Sequence, residues 1–242
     1  MATRKITPEY IATDIRCVLK NGGSTSHAKG VQWFFKEEIK SHGWYTAELR
    51  RAAVRFRRTI VQQRGLDFLL QVADHLFRGR VLEEKIFALL MLEKLVGQFG
   101  DKEFLLFQSW LPRISSWADH DGLVHYLIAP MVTAKPSRAR RVFVWAKSPD
   151  RWHRRAACVA LIQGTRRKMF FPHIKRLAKL LLRDGDDMVQ KGLAWLLRET
   201  AKHNAADTIP LLLTIRPGAS RLVMRTACET LPIATRKRIL AA

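Results

Sequence analysis

Val189-Gln190-Lys191-Gly192-Leu193-Ala194-Trp195-Leu196-Leu197-Arg198-Glu199 is the stretch whose reading decides the fold. Its apolar residues at 189, 193, 196 and 197 fall on one face of a 3.6-residue period. Lys191 and Trp195 stand one turn apart on the same helical surface. The periodic segment runs from Asp187 to Lys202 and predicts a long, regular helix.

Outward from this stretch the same period recurs nearly everywhere, and no run shows the alternation of a strand. Helices are expected over about Pro8–Leu19, Lys29–Lys40, Ala47–Gln62, Leu66–Phe77, Val81–Phe99 and Lys102–Ile114. Further ones follow over Asp119–Thr133, Ser137–Lys147, Trp152–Gln163 and Phe171–Leu182, and shorter helices fill the chain to Ile239. Breakers such as Asn21-Gly22-Gly23, Gly43, Gly65, Gly79 and Gly185 separate them. Asp150 is the expected N-cap of the helix that carries Trp152. Val81–Phe99 is the most apolar and is expected inside. Many short helices joined by short turns predict an all-α fold, a curved α-solenoid of helix pairs whose concave side forms a basic groove. A helix bundle is the plainer alternative. No Pro-rich or Gly/Ser-rich linker interrupts residues 1–242, which are therefore read as a single domain.

Lys and Arg number 43 against 21 Asp and Glu, for a formal net charge of +22. Such an excess strains a compact chain by self-repulsion unless a polyanion neutralises it, and nucleic acid is the first candidate. The apolar run Phe87–Leu92 is far shorter than the roughly 20 residues a bilayer requires. Met1–Thr7 has no apolar core of a signal peptide. Cys17, Cys158 and Cys228 are isolated and odd in number, which points to small apolar residues in a reducing compartment and so to the cytoplasm.

Three clusters each pair an indole with charge: Trp117 with Asp119 and Asp121, Trp152-His153-Arg154-Arg155-Ala156-Ala157, and the stretch from Gln190 to Glu199. Taken singly, each has a structural explanation. Trp152 is read as core, Asp119 as an N-cap, Asp121 as the partner of an Arg, and Arg154-Arg155 as a solvated face. The adjacent His120-Asp121, with His75 and Asp150 elsewhere, raises a metal-dependent phosphohydrolase as a rival, but nothing around those two fits, and no metal site is expected. The basic helix at Ala47–Gln62 raises a membrane surface as another. No glycine-rich phosphate loop, nucleophile elbow or dinucleotide fingerprint is present, so no cofactor is expected.

Taken together, the three clusters resemble the DNA alkylation repair glycosylases of the AlkD type, a family of HEAT-like helical repeats. The resemblance runs from about Phe34 to Lys202 and rests on Trp-x-x-x-Asp at 117–121, Trp-x-x-Arg-Ala-Ala at 152–157 and Gln-Lys-x-x-x-Trp-x-Leu-Arg-Glu at 190–199. It implies that Asp121 is the catalytic carboxylate, that Trp117 and Trp195 flank the lesion nucleotide, and that Arg155 contacts the DNA backbone. Arg154 and Lys191 join them as DNA contacts. Phe34-Phe35-Lys36 with Gly43 is a looser match to a family Tyr-x-Lys and Gly, which puts Phe34 where a Tyr is usual. This chain departs from the pattern at Ala118, where an Asp is common, at His120, where an apolar residue is, and at Ala47, where a Pro is. Spacing from Trp117 favours Asp121 over Asp119.

The activity so implied is hydrolysis of the N-glycosidic bond of cationic alkylated purines, 3-methyladenine and 7-methylguanine, in double-stranded DNA. A purine alkylated at N3 or N7 is already charged and leaves without a general acid. One carboxylate then suffices to stabilise the oxocarbenium-like sugar and position water. Indole faces attract such a cation by roughly 0.5–2 kcal/mol each. The expected protein is a monomer. The alternative is a non-catalytic helical-repeat scaffold that binds nucleic acid.

Overall fold

The computed structural model describes residues 6–241. The described residues contain sixteen α-helices, several short 3₁₀ turns and one π turn, and the only extended pairing among them is an isolated bridge between Lys40 and Val81. The fold is all-α and built from packed helix pairs, as the periodicity required. The reading of Met1–Thr7 falls largely on residues 1–5, outside the described part. The chain divides into two compact units: residues up to Phe99 with Arg113–Gly122, and Gly100–Pro112 with the chain from Leu123 onward.

The first unit is organised by α1 (Pro8–Gly22), α2 (Thr25–Gln32), α3 (Thr46–Arg64), α4 (Leu66–Phe77) and α5 (Leu82–Leu92). The ends of α4 are those expected. It buries Leu69, Leu70, Val72, Ala73, Leu76 and Phe77, the stripe that a 3.6 period creates, against α1, α3 and α5. α5 is buried on nearly all sides, including its charged first turn of Glu83, Glu84 and Lys85. Each of these charges is tied to a different segment. Glu83 accepts from the amides of His42 (2.9 Å) and Gly43 (2.8 Å) and from Ser41 Oγ (2.6 Å). Glu84 meets Arg16 at 3.0 Å. Lys85 meets Asp119 at 3.0 Å. Gly43 has a φ of +78°, and a Cβ there would come within 2.0 Å of the Ser24 carbonyl, so only glycine fits this turn.

The helix expected over Lys29–Lys40 is shorter and earlier. α2 ends at Gln32, and residues 33–39 form turns ending at the Lys40 bridge. The reason is local: the Gln32 amide donates to the carbonyls of Phe35 (3.3 Å) and Glu37 (2.8 Å), and its oxygen accepts from Ile39 N–H (2.8 Å). These bonds give the backbone partners that a continued helix would otherwise have supplied.

The second unit contains α6 (Asp101–Trp110), a π turn at Val124–Ile128, α8 (Ala129–Ala134), α9 (Ala139–Trp145), α10 (Arg151–Val159), α11 (Ile162–Thr165), α12 (Phe171–Leu181), α13 (Asp187–His203), α14 (Ala205–Ile215), α15 (Arg221–Ala227) and α16 (Ile233–Leu240). α7 (Trp117–Leu123) ends the chain's second pass through the first unit. α13, the helix of the opening stretch, is the hub of the second unit and packs against α10, α11, α12, α14 and α15. Asp150 caps α10, accepting from His153 N–H at 3.0 Å, and Asp186 caps α13. Trp152 is core, 5% exposed.

Candidate functional site

α7 begins at Trp117 because Ser116 and Asp119 close a reciprocal capping box: Ser116 N–H donates to Asp119 Oδ1 (2.7 Å), and Asp119 N–H reaches Ser116 Oγ (3.5 Å). Asp119 is therefore the third residue of the helix, and the cap expected of it belongs to Ser116. Its other oxygen accepts from Ser115 N–H (2.9 Å) and pairs with Lys85, both side chains being almost wholly buried. A carboxylate so enclosed and so fully bonded has no edge to offer a substrate.

Asp121 differs in its exposure. Its side chain is 21% exposed, and Oδ1 lies 2.7 Å from Nδ1 of His120, whose imidazole is fully buried. Because a carboxylate only accepts, Nδ1 carries the proton and donates. Residue 120, a histidine where the resembling family has an apolar side chain, thus supplies a buried hydrogen bond that orients the carboxylate. Trp117, one turn earlier, is half-buried. Its indole N–H donates to the Phe34 carbonyl (3.1 Å), and its ring stacks against Phe35 with centroids 5.1 Å apart at 17°. Phe35 covers one face of the indole. Phe34 contributes its carbonyl to Trp117 and keeps its ring in solvent.

Arg154, Arg155, Lys191 and Trp195 belong to the second unit. Arg154 is held by both oxygens of Asp184 (2.6 and 3.2 Å) and by the carbonyls of Ser148 and Pro149. Arg155 is 5% exposed, donates to the Met188 carbonyl (2.8 Å) and lies against Gly192, where α10 and α13 approach closely. Lys191 forms a half-exposed i,i+4 pair with Asp187 at 2.9 Å.

Trp195 lines a hollow of about 480 Å³ with His125, Gln163, Arg166, Arg198 and Lys202. The His125 ring, presented by the π turn, meets the indole at 5.0 Å, and Gln163 donates to the His125 carbonyl (2.7 Å). Arg198 is paired with Glu199 (3.0 Å) and Glu229 (3.4 Å). Arg166 and Lys202 are exposed and pair with no carboxylate among the described residues. Sequence reading singled out none of Arg166, His125 and Lys202 as a site residue, because residues dozens of positions apart share no local pattern.

Among the described residues no group of three or more His, Cys, Asp or Glu is placed to hold a metal ion. His120 is turned to Asp121, and Asp150 is engaged with α10 and His153 (3.1 Å). No described helix is long and apolar enough to cross a membrane.

Fold and site define an all-α helical-repeat protein that carries an oriented, partly exposed aspartate beside an indole. The chain belongs to the family of DNA alkylation repair enzymes, whose model matches residues 15–231. Among solved structures it is similar to a predicted DNA alkylation repair enzyme from Enterococcus faecalis. The two share 16% identity and a TM-score of 0.78, over 87% of this chain and 97% of the other. At that identity the likeness speaks for the fold. No curated protein sequence matches the chain.

Proposed function

We propose that this DNA repair protein is a glycosylase that releases cationic alkylated purines, 3-methyladenine and 7-methylguanine, from double-stranded DNA. The observation that carries this reading is Asp121, the partly exposed carboxylate of α7, oriented by a buried imidazole 2.7 Å away and one turn from a half-exposed indole. Asp121 stabilises the positive charge that grows on the sugar as the bond breaks, and positions the water that takes the sugar carbon. The cationic base departs with the bonding electrons and becomes neutral. The hydrogen bond from the buried His120 imidazole keeps the carboxylate aimed. The Trp117 indole attracts the charged lesion and discriminates against neutral bases.

In the second unit, Trp195 and the unpaired cations Arg166 and Lys202 form a DNA-binding surface that takes phosphate. Lys191 reaches phosphate by giving up its exposed pair with Asp187. Arg154 and Arg155, which also tie α10 to its neighbours, complete the contacts to the DNA backbone. Residues 1–242 act as one functional domain, which fits a family match that runs through both units. We place the protein in the cytoplasm as a cofactor-free monomer, in keeping with three free cysteines.

The test is chromatographic measurement of free 3-methyladenine and 7-methylguanine released from methylated duplex DNA. The wild type releases them, and Asp121→Asn loses about 10²–10³-fold or more in rate while still binding DNA. Binding without release by the wild type would instead identify a non-catalytic scaffold.

A further inference from the structure

Trp33 is 91% exposed and Phe34 76%, the two most solvent-open large apolar side chains among the described residues. Neither ring stacks on another described side chain, and the Trp33 indole N–H has no acceptor among them. Two adjacent aromatics left in water call for a partner.

The turn that displays them is firmly held. The amides of Trp33, Phe34 and Phe35 donate to the carbonyls of Gly30 (3.3 Å), Val31 (3.1 Å) and Gln32 (3.0 Å). The Gln32 side chain closes the far side through Phe35, Glu37 and Ile39. The Phe34 carbonyl hangs from the Trp117 indole, and Phe35 stacks on the same ring. The rings are therefore preorganised, with little backbone entropy left to lose on binding. Lys29, Lys36 and Lys40 flank them in exposed positions, in a chain of net charge +22.

Flat apolar rings beside lysines fit a ligand that offers flat faces and phosphates together, which is nucleic acid. The Phe34 carbonyl, next to Trp33, ties this turn to Trp117 on α7, the helix that carries Asp121. We propose that Trp33, with Phe34 beside it, is a wedge that stacks on nucleobases exposed where the duplex is interrupted at the damaged nucleotide. This rests on the DNA-repair reading above and adds a strand-opening contact to it. The wedge recognises the broken stack, and Asp121 acts on the sugar.

The experiment uses the full chain with two duplexes, one intact and one carrying a tetrahydrofuran abasic site next to 2-aminopurine. The wild type binds the interrupted duplex more tightly and changes the 2-aminopurine emission. Trp33→Ala loses about tenfold in affinity for the interrupted duplex, at the low end of what stacking one base contributes. It also abolishes the emission change, and leaves affinity for the intact duplex and the helical circular dichroism unaltered. Trp33→Phe keeps most of both signals. Trp33→Ala matching the wild type on the interrupted duplex would overturn the wedge and leave the glycosylase reading standing. The wedge is equally overturned if Trp33→Ala weakens binding to phosphatidylglycerol vesicles alone, which would assign the turn to a lipid surface. A wild type that binds neither duplex would sink the DNA-repair reading together with the wedge.

Discussion

Asp119 and Asp121 stand two residues apart on one short helix, and their surroundings give them opposite roles. Asp119 and Lys85 form an almost wholly buried pair whose carboxylate is completed by the amides and hydroxyls of Ser115 and Ser116. Removing one member of such a pair strands the other charge in a dry interior. Asp119→Ala is accordingly expected to cost about 3–5 kcal/mol of stability. Asp121→Asn, at a partly exposed position, is expected to change stability by no more than about 0.5 kcal/mol. Urea unfolding of the two variants measures this contrast, and equal losses would refute it. The spacing from Trp117 already singled out Asp121. The enclosure of Asp119 was not legible, because its partner lies on α5, 34 positions earlier in the chain. The same holds for cysteine: Cys158 and Cys228 are buried as expected, with burial pushing the Cys158 thiol up to about 12, whereas Cys17 is exposed.

At the scale of elements, the periodic segments were the legible ones. α4 has the ends expected of it, and α13 starts where expected and runs one residue further, to His203, because a stripe that must be buried specifies both the helix and its face. Residues 33–39 departed from the pattern because one side chain, Gln32, captured three backbone groups. The end of α4 also carries an acid-sensitive junction. Asp74 is partly buried, which works to raise its pKa. Bonds and charge from Arg113 (2.6 Å) and Arg78 outweigh this and hold it below the usual 3.8. A carboxyl with a depressed folded pKa adds stability that is fully present above its unfolded value and is lost as pH falls through the folded one. The wild type should therefore lose stability as pH drops below about 4. Asp74→Asn should be less stable at neutral pH and show a flatter decline there. Parallel pH-stability curves for the two proteins would count against the junction.

At the scale of the whole molecule, charge is the dominant property. On α3 alone, Arg51, Arg55 and Arg58 are exposed along one face, and in the second unit Arg166 and Lys202 are exposed and pair with no carboxylate among the described residues. Binding to duplex DNA is expected to weaken by about 10³-fold between about 50 and 200 mM salt if six phosphates are neutralised, since each contact releases a condensed counterion. Fluorescence anisotropy across a salt series gives the slope, and a salt-independent affinity would contradict a phosphate-held complex. Read alone, the amino-acid order determined the helical class, the polyanionic partner and the short list of indoles and acids. Those properties follow from local period and summed composition, which need no knowledge of distant contacts. The tertiary structure alone decided which acid is enclosed by a lysine and which is aimed by a histidine. It also decided which arginines are spent inside the protein and that Trp33 stands open in water. Burial and pairing are set by residues dozens of positions apart, and only the folded chain brings them together.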